Sequence, residues 1–336
     1  MAKKIGKRTV KLEKRITFSG YGSVVGKHEY EGPLGKEFDS FDLDCRFGEE
    51  SYEKAESRLQ KIAVQTALRK SGYNETQIDC IFAGDLLNQC IGSFFGLREM
   101  EIPLVGLYGA CSTMTLGLIM ASNLIESGAA ERTVAVTSSH FCSAERQYRF
   151  PLEYGSQRTP TAQRTVTGSG ASILEVAEKG PYISAFTIGK IQDLGVTDAN
   201  NMGAAMAPSA ADTLRAYFED TKTTPKDYDV IFTGDLGKVG TELLYELMEK
   251  EGYDLRCRHS DCGLIIYNLE NQDVHSGGSG CGCSASVLNS YIMHRFEDKS
   301  FKNILFMSTG ALMSPTSSLQ GESIPGISHL VNIKND

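Results

Sequence analysis

Tryptophan is absent from the 336-residue sequence, and no apolar segment follows the basic residues at the N-terminus, so we expect no secretory signal. Nine cysteines are scattered along the chain rather than grouped as in a disulfide scaffold, and we expect free thiols in a reducing compartment. Extended basic tracts are missing beyond the N-terminus. With a net charge of −8, the protein is predicted not to bind nucleic acid.

The sequence has one long, mostly hydrophobic run, residues 102–125, which carries no charge. Although long enough to raise the question of a membrane span, this run is interrupted by glycine and hydroxyl-bearing residues. It is better explained as a buried strand followed by a buried helix. Cys111 then lies in the elbow between them, where a helix N-terminus lowers a thiol pKa or holds an anion. The alternative is a buried structural cysteine.

The N-terminal segment, residues 3–15, contains seven lysines and arginines against one acid, Glu13. Two interpretations stay open. The segment is a solvated arm, as most charge runs are. Otherwise it is drawn to an anionic membrane surface, where each basic residue contributes about 1 kcal/mol.

The first part of the chain alternates between irregular and periodic stretches. Residues 20–47 are rich in glycine and turn formers, which predicts an irregular segment. Residues 51–70 have apolar side chains at helical spacing and are followed by Gly72, which predicts an amphipathic helix with a glycine cap. Residues 79–86 (DCIFAGDL) then predict a short buried strand that runs into a turn.

A similar phrase, DVIFTGDL, begins at residue 229, which is 150 positions after the first phrase begins at residue 79. The sequence around Cys111 likewise aligns with that around Cys283. The larger offset of this second pair is explained if residues 256–277 form an inserted hairpin. The chain is therefore predicted to be a duplicated α/β fold with halves 1–175 and 176–336, in which Cys111 and Cys283 face one central pocket.

Several phrases carry a resemblance to known families. YGACSTM, TVTGSGA and GGSGCGCSA are similar to the thiolase superfamily, which includes the β-ketoacyl-ACP synthases. More closely, FAGDLLNQ, AERQYRFPLEYG and MAPSAADT resemble the family of stage V sporulation protein AD, and this resemblance covers nearly the whole chain. It implies a thiolase-like αβαβα layered fold of two duplicated halves.

The resemblance also implies a function. Family members are expected to bind dipicolinic acid (pyridine-2,6-dicarboxylate) for its uptake into developing spores. The implied partners are the other proteins of the SpoVA transport assembly, which are membrane proteins, and a second copy of the chain, since thiolase-like proteins are usually homodimers. The implied location is the forespore or spore, at the periphery of the inner membrane. Whether calcium enters with the ligand is left open, and no other cofactor is expected.

The departures from condensing enzymes concern the partners of the elbow cysteine. Those enzymes have a histidine in a PHQAN-like phrase, where this chain has Thr-Gly-Asp at 233–235, and an asparagine that aligns here with Cys281. Because decarboxylative condensation requires neutral donors at a developing oxyanion, an aspartate there favours binding without catalysis. Two rivals stay open. One is a Cys111-dependent acyltransferase or condensing enzyme, and the other is an adaptor without a ligand.

Candidate ligand contacts follow from the expected ligand, a planar aromatic dianion. Arginine forks bind carboxylates, and aromatic side chains offer a flat face. The alternative is that the arginines are structural and paired to Glu145 or Glu153. Asp85 and Asp235 are predicted to cap helices or to bind calcium. The spacing of histidines and cysteines matches no tetrahedral zinc template. The predicted ligand contacts are Cys111, His140, Arg146, Tyr148, Arg149, Lys190, Asp193, His259, Cys281 and Cys283.

Overall fold

The computed structural model describes residues 2–148 and 158–336. The strands in these residues are β1 (Lys3–Ile5), β2 (Thr9–Gly26), β3 (Ser40–Asp42), β4 (Cys80–Gly84), β5 (Leu104–Gly106), β6 (Arg132–Ser139), β7 (Arg164–Thr165), β8 (Gly168–Val176), β9 (Tyr182–Thr187), β10 (Val230–Thr233), β11 (His259–Asp261), β12 (Gly278–Ser279), β13 (Asn303–Ala311) and β14 (Gly326–Lys334).

The α-helices in the same residues are α1 (Lys27–Tyr30), α2 (Tyr52–Ser71), α3 (Ile91–Leu97), α4 (Thr113–Glu126), α5 (Phe141–Tyr148), α6 (Met202–Thr221), α7 (Gly237–Lys250), α8 (Cys262–Ile265), α9 (Cys281–Val287), α10 (Met293–Glu297) and α11 (Pro315–Leu319). A π-helical turn, Leu288–Ile292, joins α9 to α10. Short 3-10 helices span Gly35–Glu37, Glu75–Gln77, Asn88–Cys90, Arg98–Met100 and Pro225–Asp227.

The main sheet has the same strand pattern on both sides of its centre. Its order is β11-β10-β13-β14-β9-β2-β8-β6-β4-β5. Outward from β2, and equally from β9, the first two pairings are antiparallel and the next two are parallel. This symmetry is what a repeated order of elements would produce. The boundary between residues 175 and 176 stays a prediction, and β8 ends next to it, at Val176.

Helices form three layers around the strands. In the middle, α4 contacts β4 and β6 on one side and β13 and β14 on the other. Helix α2 covers the outer face of β2 and β8, whereas α6 covers the outer face of β13 and β14. Each of the three helix layers packs on its own apolar core. The αβαβα arrangement of the thiolase-like fold is therefore present.

The predicted helix after residue 50 forms as α2. Ser51 accepts a hydrogen bond from the Lys54 N–H at its start, and Gly72 ends it in the left-handed conformation, with φ of 76°. The prediction of an irregular segment over 20–47 was wrong for its first part, because β2 extends to Gly26. Gly20 and Gly22 are not loop formers. A Cβ atom on Gly22 would lie 2.5 Å from the Ala63 carbonyl oxygen, so glycine allows α2 to pack against the strand.

Two further predictions can be judged here. Residues 256–277 do not form a hairpin: β11 pairs in parallel with β10 and is followed by helix α8. Residues 102–125 form β5 and the buried helix α4, but the prediction of a buried strand was wrong, because β5 is an edge strand on which Val105 and Gly106 are exposed. Among the helices of the described residues, none combines the length and apolar character needed to cross a membrane. In the basic N-terminal segment β1 pairs with the start of β2, and Lys3, Lys4 and Lys7 are exposed, so the segment is ordered as well as solvated.

Candidate functional site

The elbow between β5 and α4 places Cys111 two residues before the helix begins. Ala110 has a φ of 50°, a left-handed conformation that is uncommon for a residue with a side chain. Within the elbow, the Gly109 carbonyl accepts hydrogen bonds from both the N–H and the hydroxyl of Ser112. Strand β13 approaches so closely that a Cβ atom on Gly310 would lie 2.4 Å from the Gly109 oxygen. The position of Cys111 is therefore fixed from both halves of the protein.

Cys111 lines a cavity of about 50 Å³ that opens to solvent. Both halves of the chain contribute to the wall, which is mostly apolar. The Tyr148 hydroxyl donates a hydrogen bond to the Leu86 carbonyl and lies 3.3 Å from the Tyr108 hydroxyl. This volume lies below the range of about 300–1,000 Å³ that is typical of small-molecule sites, so a ligand ring enters only if the lining side chains move apart. The lining residues are Leu86, Ala110, Cys111, Ala144, Glu145, Tyr148, Thr165, Ala199, Met202, Ser279, Ala311 and Met313.

Asp235 is fully buried next to this cavity and is held by three donors. Its Oδ2 accepts hydrogen bonds from the Ser279 hydroxyl at 3.0 Å and from the Gly280 N–H at 2.9 Å. Its Oδ1 accepts a hydrogen bond from the Thr309 hydroxyl at 2.6 Å. Burial raises the pKa of this carboxyl above its ordinary value, and the hydrogen bonds partly oppose the rise. Asp235 thus joins the start of α9 to β13.

The environment of the Cys111 thiol is the opposite of the one expected from its place before a helix. Its Sγ lies 3.8 Å from the Ser279 hydroxyl oxygen and is buried. Burial, followed by the negative charge of Asp235, raises the pKa of this thiol well above 9.0. The nucleophilic form of cysteine is the thiolate. Cys111 is therefore held as a thiol at neutral pH.

The two second-half cysteines have different positions. Cys281 packs with Cys111 and Leu86 in a small apolar cluster, and its thiol donates a hydrogen bond to the Ser138 carbonyl at 2.9 Å. Cys283 belongs to the central core, and its thiol donates to a backbone carbonyl, that of Gly234. The predicted convergence of both elbows on one pocket is not formed, because Cys283 lies within α9 whereas Cys111 precedes α4.

Neither predicted histidine lines the cavity. The His140 Nε2 lies 2.6 Å from the Cys45 carbonyl oxygen, and burial lowers the pKa of the ring. His259 lies between the Thr233 hydroxyl, at 2.8 Å, and the Tyr245 hydroxyl, at 3.1 Å. Burial lowers the pKa of His259 to about 3. Both rings are neutral and held by the fold.

Of the predicted contacts near the end of α5, Tyr148 lines the cavity and Arg146 does not. The Arg146 guanidinium is half exposed and binds the Glu53 carboxylate at 3.0 Å. The alternative of a structurally paired arginine therefore describes Arg146, although its partner is Glu53. Arg149 lies outside the described residues.

The second predicted pair, Lys190 and Asp193, is also away from the cavity. The Lys190 ammonium is exposed and lies 3.9 Å from the Asp212 carboxylate. Asp193 accepts hydrogen bonds from the Ser323 hydroxyl and the Gly195 N–H at the surface. Neither residue lines the cavity.

The repeated aspartates were weighed as helix caps or calcium ligands. Asp85 accepts hydrogen bonds from the backbone N–H groups of Leu87 and Ser93, which lie before and within the first turn of α3. In the second half, Asp261 rather than Asp235 accepts from the N–H groups that begin α7. Across residues 2–148 and 158–336, no group of three or more histidine, cysteine or acidic side chains is arranged to hold a metal ion.

Ser279 was missed at the sequence level although it faces Cys111. The glycine-rich run 277–280 was a signal, because it indicated that backbone passes close to another part of the chain. The structure shows why: a Cβ atom on Gly280 would lie 2.5 Å from the Ser139 hydroxyl oxygen. The role of Asp235 as the partner of Ser279 had no local signal.

The fold is shared with condensing enzymes of known structure. The structure matches 3-oxoacyl-[acyl-carrier-protein] synthase III from Aquifex aeolicus with a TM-score of 0.58 at 13% identity, covering 95% of this chain and 99% of the other. It matches a variant of OleA from Xanthomonas campestris with a TM-score of 0.61 at 13% identity, covering 96% and 99%. At this identity the likeness concerns the fold alone.

Sequence comparison gives a closer relative. The chain is 43% identical over 324 residues to stage V sporulation protein AD of Bacillus subtilis (strain 168), which covers 96% of each protein. A family model described as stage V sporulation protein AD matches residues 6–334. With this match over nearly its whole length, the chain belongs to the stage V sporulation protein AD family.

Proposed function

We propose that this sporulation protein binds dipicolinate in the cavity beside Cys111 without transforming it, for uptake of the ligand into developing spores by the SpoVA assembly. The observation that carries the proposal is the environment of Cys111. Its thiol lies in a buried cavity where Asp235 disfavours the thiolate. In a pocket of this kind the cysteine stays unreactive towards a ligand that enters beside it.

The surroundings of Cys111 also argue against condensation chemistry. An enolate oxyanion is stabilised by neutral donors aimed at the developing charge. Asp235 would instead place a carboxyl group beside that charge, and its two oxygens are already occupied by three donors. Among the described residues that line the cavity there is no histidine to exchange protons. These features support the proposal that the fold is retained for binding.

The wall of the cavity suits a flat aromatic ring. Apolar side chains form most of it, and Tyr148 presents an aromatic ring to the interior. The Thr165 hydroxyl lines the cavity and can donate to a ring nitrogen or a carboxylate oxygen, whereas the Ser279 hydroxyl already donates its proton to Asp235. Charged partners for the two carboxylates are considered in the next subsection.

The test is a calorimetric titration of the purified protein with dipicolinate, with and without calcium. We expect saturable binding that Cys111→Ala preserves within a few fold, because the thiol takes no part in chemistry. Ala144→Leu should abolish it, because the larger side chain fills the cavity from α5. Cys257→Ala, at an exposed site, is the control variant.

The rival function is acyl transfer through Cys111, and the same samples distinguish it. If acetyl-CoA acylates the wild-type protein but not Cys111→Ala, and dipicolinate gives no heat, the binding proposal is wrong and the enzyme reading stands. If neither compound gives heat, the remaining hypothesis is an adaptor without a ligand, and the binding proposal is wrong. A difference between the titrations with and without calcium would decide whether the chelate is the ligand.

We also propose that the protein is a homodimer, peripheral to the spore inner membrane and in contact with the membrane proteins of the SpoVA assembly. Strand β5 is an edge of the main sheet and borders exposed apolar side chains of α3, including Phe94 and Phe95. Such edges are normally covered. We expect a dimer in sedimentation experiments and a monomer for Phe95→Glu. A monomeric wild-type protein would contradict the assignment.

A further inference from the structure

Two arginines and a histidine near the cavity keep buried nitrogen atoms without hydrogen-bond partners. These atoms are Nη1 of Arg158, Nε of Arg164 and Nδ1 of His28. The Arg158 side chain is only 9% exposed. Buried polar groups are nearly always hydrogen-bonded, and an unpaired one in a native structure requires an explanation. Two unpaired guanidinium donors beside an unpaired imidazole nitrogen point to a site for an anion.

One loop, residues 272–277, contacts all three residues: Arg158 through its side chain, and His28 and Arg164 through their backbone. Its Asp273 binds Arg158 through both the carboxylate, at 2.8 Å, and the backbone carbonyl, at 2.9 Å. Its Gln272 donates a hydrogen bond to the His28 carbonyl at 2.7 Å. Its last carbonyl, at residue 277, accepts the N–H of Arg164 at 2.8 Å. The cluster of His28, Arg158 and Arg164 is therefore built by the fold.

The positive charge of the cluster is only partly balanced. Asp273 is largely exposed and also contacts His275, so it is shared with solvent and a second side chain. Glu29 is buried nearby, but it accepts hydrogen bonds from the Thr167 N–H and the Tyr267 hydroxyl. Burial raises the pKa of this carboxyl, and its hydrogen bonds and the nearby charge of Arg164 oppose the rise.

Arg164 makes no ion pair within residues 2–148 and 158–336. Its guanidinium carbon lies instead 3.8 Å from the centroid of the Phe141 ring. Burial and the charges of Arg164 and Arg158 lower the pKa of His28, although Glu31 acts in the opposite direction. A site that disfavours a further positive charge in this way is suited to an anion.

The cluster borders the cavity described above. Phe141 lies three and seven residues before Ala144 and Tyr148, so the three share one face of helix α5. Ala144 and Tyr148 line the cavity, and Phe141 extends the same face to Arg164. Thr165, the neighbour of Arg164 on β7, also lines it. Phe141 and Thr165 thus connect the cluster to the cavity wall, although His28, Arg158 and Arg164 do not themselves line the cavity.

We propose that Arg158, Arg164 and His28 form an anion site that receives a carboxylate of the ligand whose ring occupies the Cys111 cavity. This inference rests on the proposed function for the identity of the ligand, and it replaces Arg146 as the source of positive charge. An arginine fork matches a carboxylate in geometry and donates two hydrogen bonds at once. The contact of the Arg164 guanidinium with the Phe141 ring fixes the orientation of the guanidinium.

The experiment compares Arg164→Gln with the matched control Arg146→Gln, whose arginine is exposed and bound to Glu53. We expect Arg164→Gln to weaken dipicolinate binding about 10- to 100-fold, the range for loss of charged hydrogen bonds. Arg146→Gln should leave the affinity unchanged. Arg164→Lys, which keeps the charge but loses the fork, should fall between them. Thermal unfolding of each variant shows whether the fold is kept.

A second readout, the pKa of His28, does not depend on calorimetry. It is followed by NMR of protein with labelled histidine, with His28→Gln to assign the signal. Bound dipicolinate should raise this pKa, and inorganic phosphate is the probe for an anion without a ring. If phosphate raises it and dipicolinate does not, the anion site stands and the proposed ligand is wrong. If dipicolinate binds with neither a pKa change nor an effect of Arg164→Gln, the anion site is wrong and the proposed function stands. No response to either anion would also overturn the site.

Discussion

Glu56→Gln is expected to remove a contribution by which the free energy of unfolding falls between pH 5 and pH 8, whereas the buried His259, whose pKa is lowered to about 3, contributes a change of opposite sign that is the same in both proteins. Glu56 is fully buried on α2, with Oε2 accepting a hydrogen bond from Ser143 at 2.6 Å and Oε1 one from Ser138 at 3.2 Å. Burial, followed by the charge of Asp85, raises the pKa of Glu56 from 4.5 to about 8. The folded protein therefore holds a proton that the unfolded chain releases.

The sign follows from proton binding. Between pH 4.5 and about 8 the folded state binds more protons than the unfolded state at this site, so stability is fully present below that window and is lost as the pH rises through it. One proton corresponds to about 1.4 kcal/mol per pH unit. Asp261, whose pKa is raised to about 7 by burial, adds a loss of the same sign that remains in the variant.

Urea denaturation at a series of pH values measures the effect. Glu246→Gln, at an exposed position of α7, is the control and should keep the wild-type slope. A Glu56→Gln variant with the same dependence on pH as the wild-type protein would show that Glu56 is ionised in the folded state.

Gly170→Ala should destabilise the protein by about 1–3 kcal/mol or more, in the range for overpacked cores. Gly170 lies on β8 where α9 crosses it. A Cβ atom there would lie 2.1 Å from the Ala285 carbonyl oxygen and 2.4 Å from its carbon. Because both contacts are with helix backbone, relief requires the helix to move away from the sheet.

Gly117→Ala is the matched control for this substitution. Gly117 is in the interior of α4, and the nearest atom to an added Cβ would be the Ala135 Cβ at 3.5 Å, an ordinary contact. Alanine is favoured over glycine in a helix interior by about 0.5–1 kcal/mol, so this variant should be more stable than the wild-type protein. Equal urea midpoints for Gly170→Ala and Gly117→Ala would contradict the packing described for α9.

Elements of the fold were predicted correctly where the residues that define them are close together in the sequence. Helix α2 could be predicted because its spacing, its cap at Ser51 and its stop at Gly72 are all adjacent in sequence. Gly20 and Gly22 were misjudged because glycine is required there by the close packing of α2, a helix that lies more than 40 residues later in the chain. The prediction of a hairpin over residues 256–277 was wrong for a similar reason. The strand in this segment, β11, is defined by its parallel pairing with β10, which is distant in sequence.

The candidate site shows the same division. Cys111 was found from a strand, a turn and a helix in one short stretch, and it lines the cavity. The raised pKa of its thiol could not be predicted, because it depends on burial and on Asp235, which the fold brings to the elbow. Arg158 and Arg164 were not singled out either, since no motif surrounds them and only the loop 272–277 brings them to His28.

The central claim is that the cavity beside Cys111 holds the ligand while its cysteine stays unreactive, and cysteine footprinting tests it most directly. The protein is treated with N-ethylmaleimide at alkaline pH, with and without dipicolinate, and each cysteine is followed by peptide mass spectrometry. Cys257 is exposed and serves as the internal control. We predict slow labelling of Cys111 that dipicolinate suppresses at least about tenfold, with Cys257 unaffected. A free ligand concentration about ten times Kd, which corresponds to about 1.4 kcal/mol, leaves only about a tenth of the sites empty. Labelling of Cys111 that is unchanged at saturating dipicolinate would contradict the account and place the ligand elsewhere.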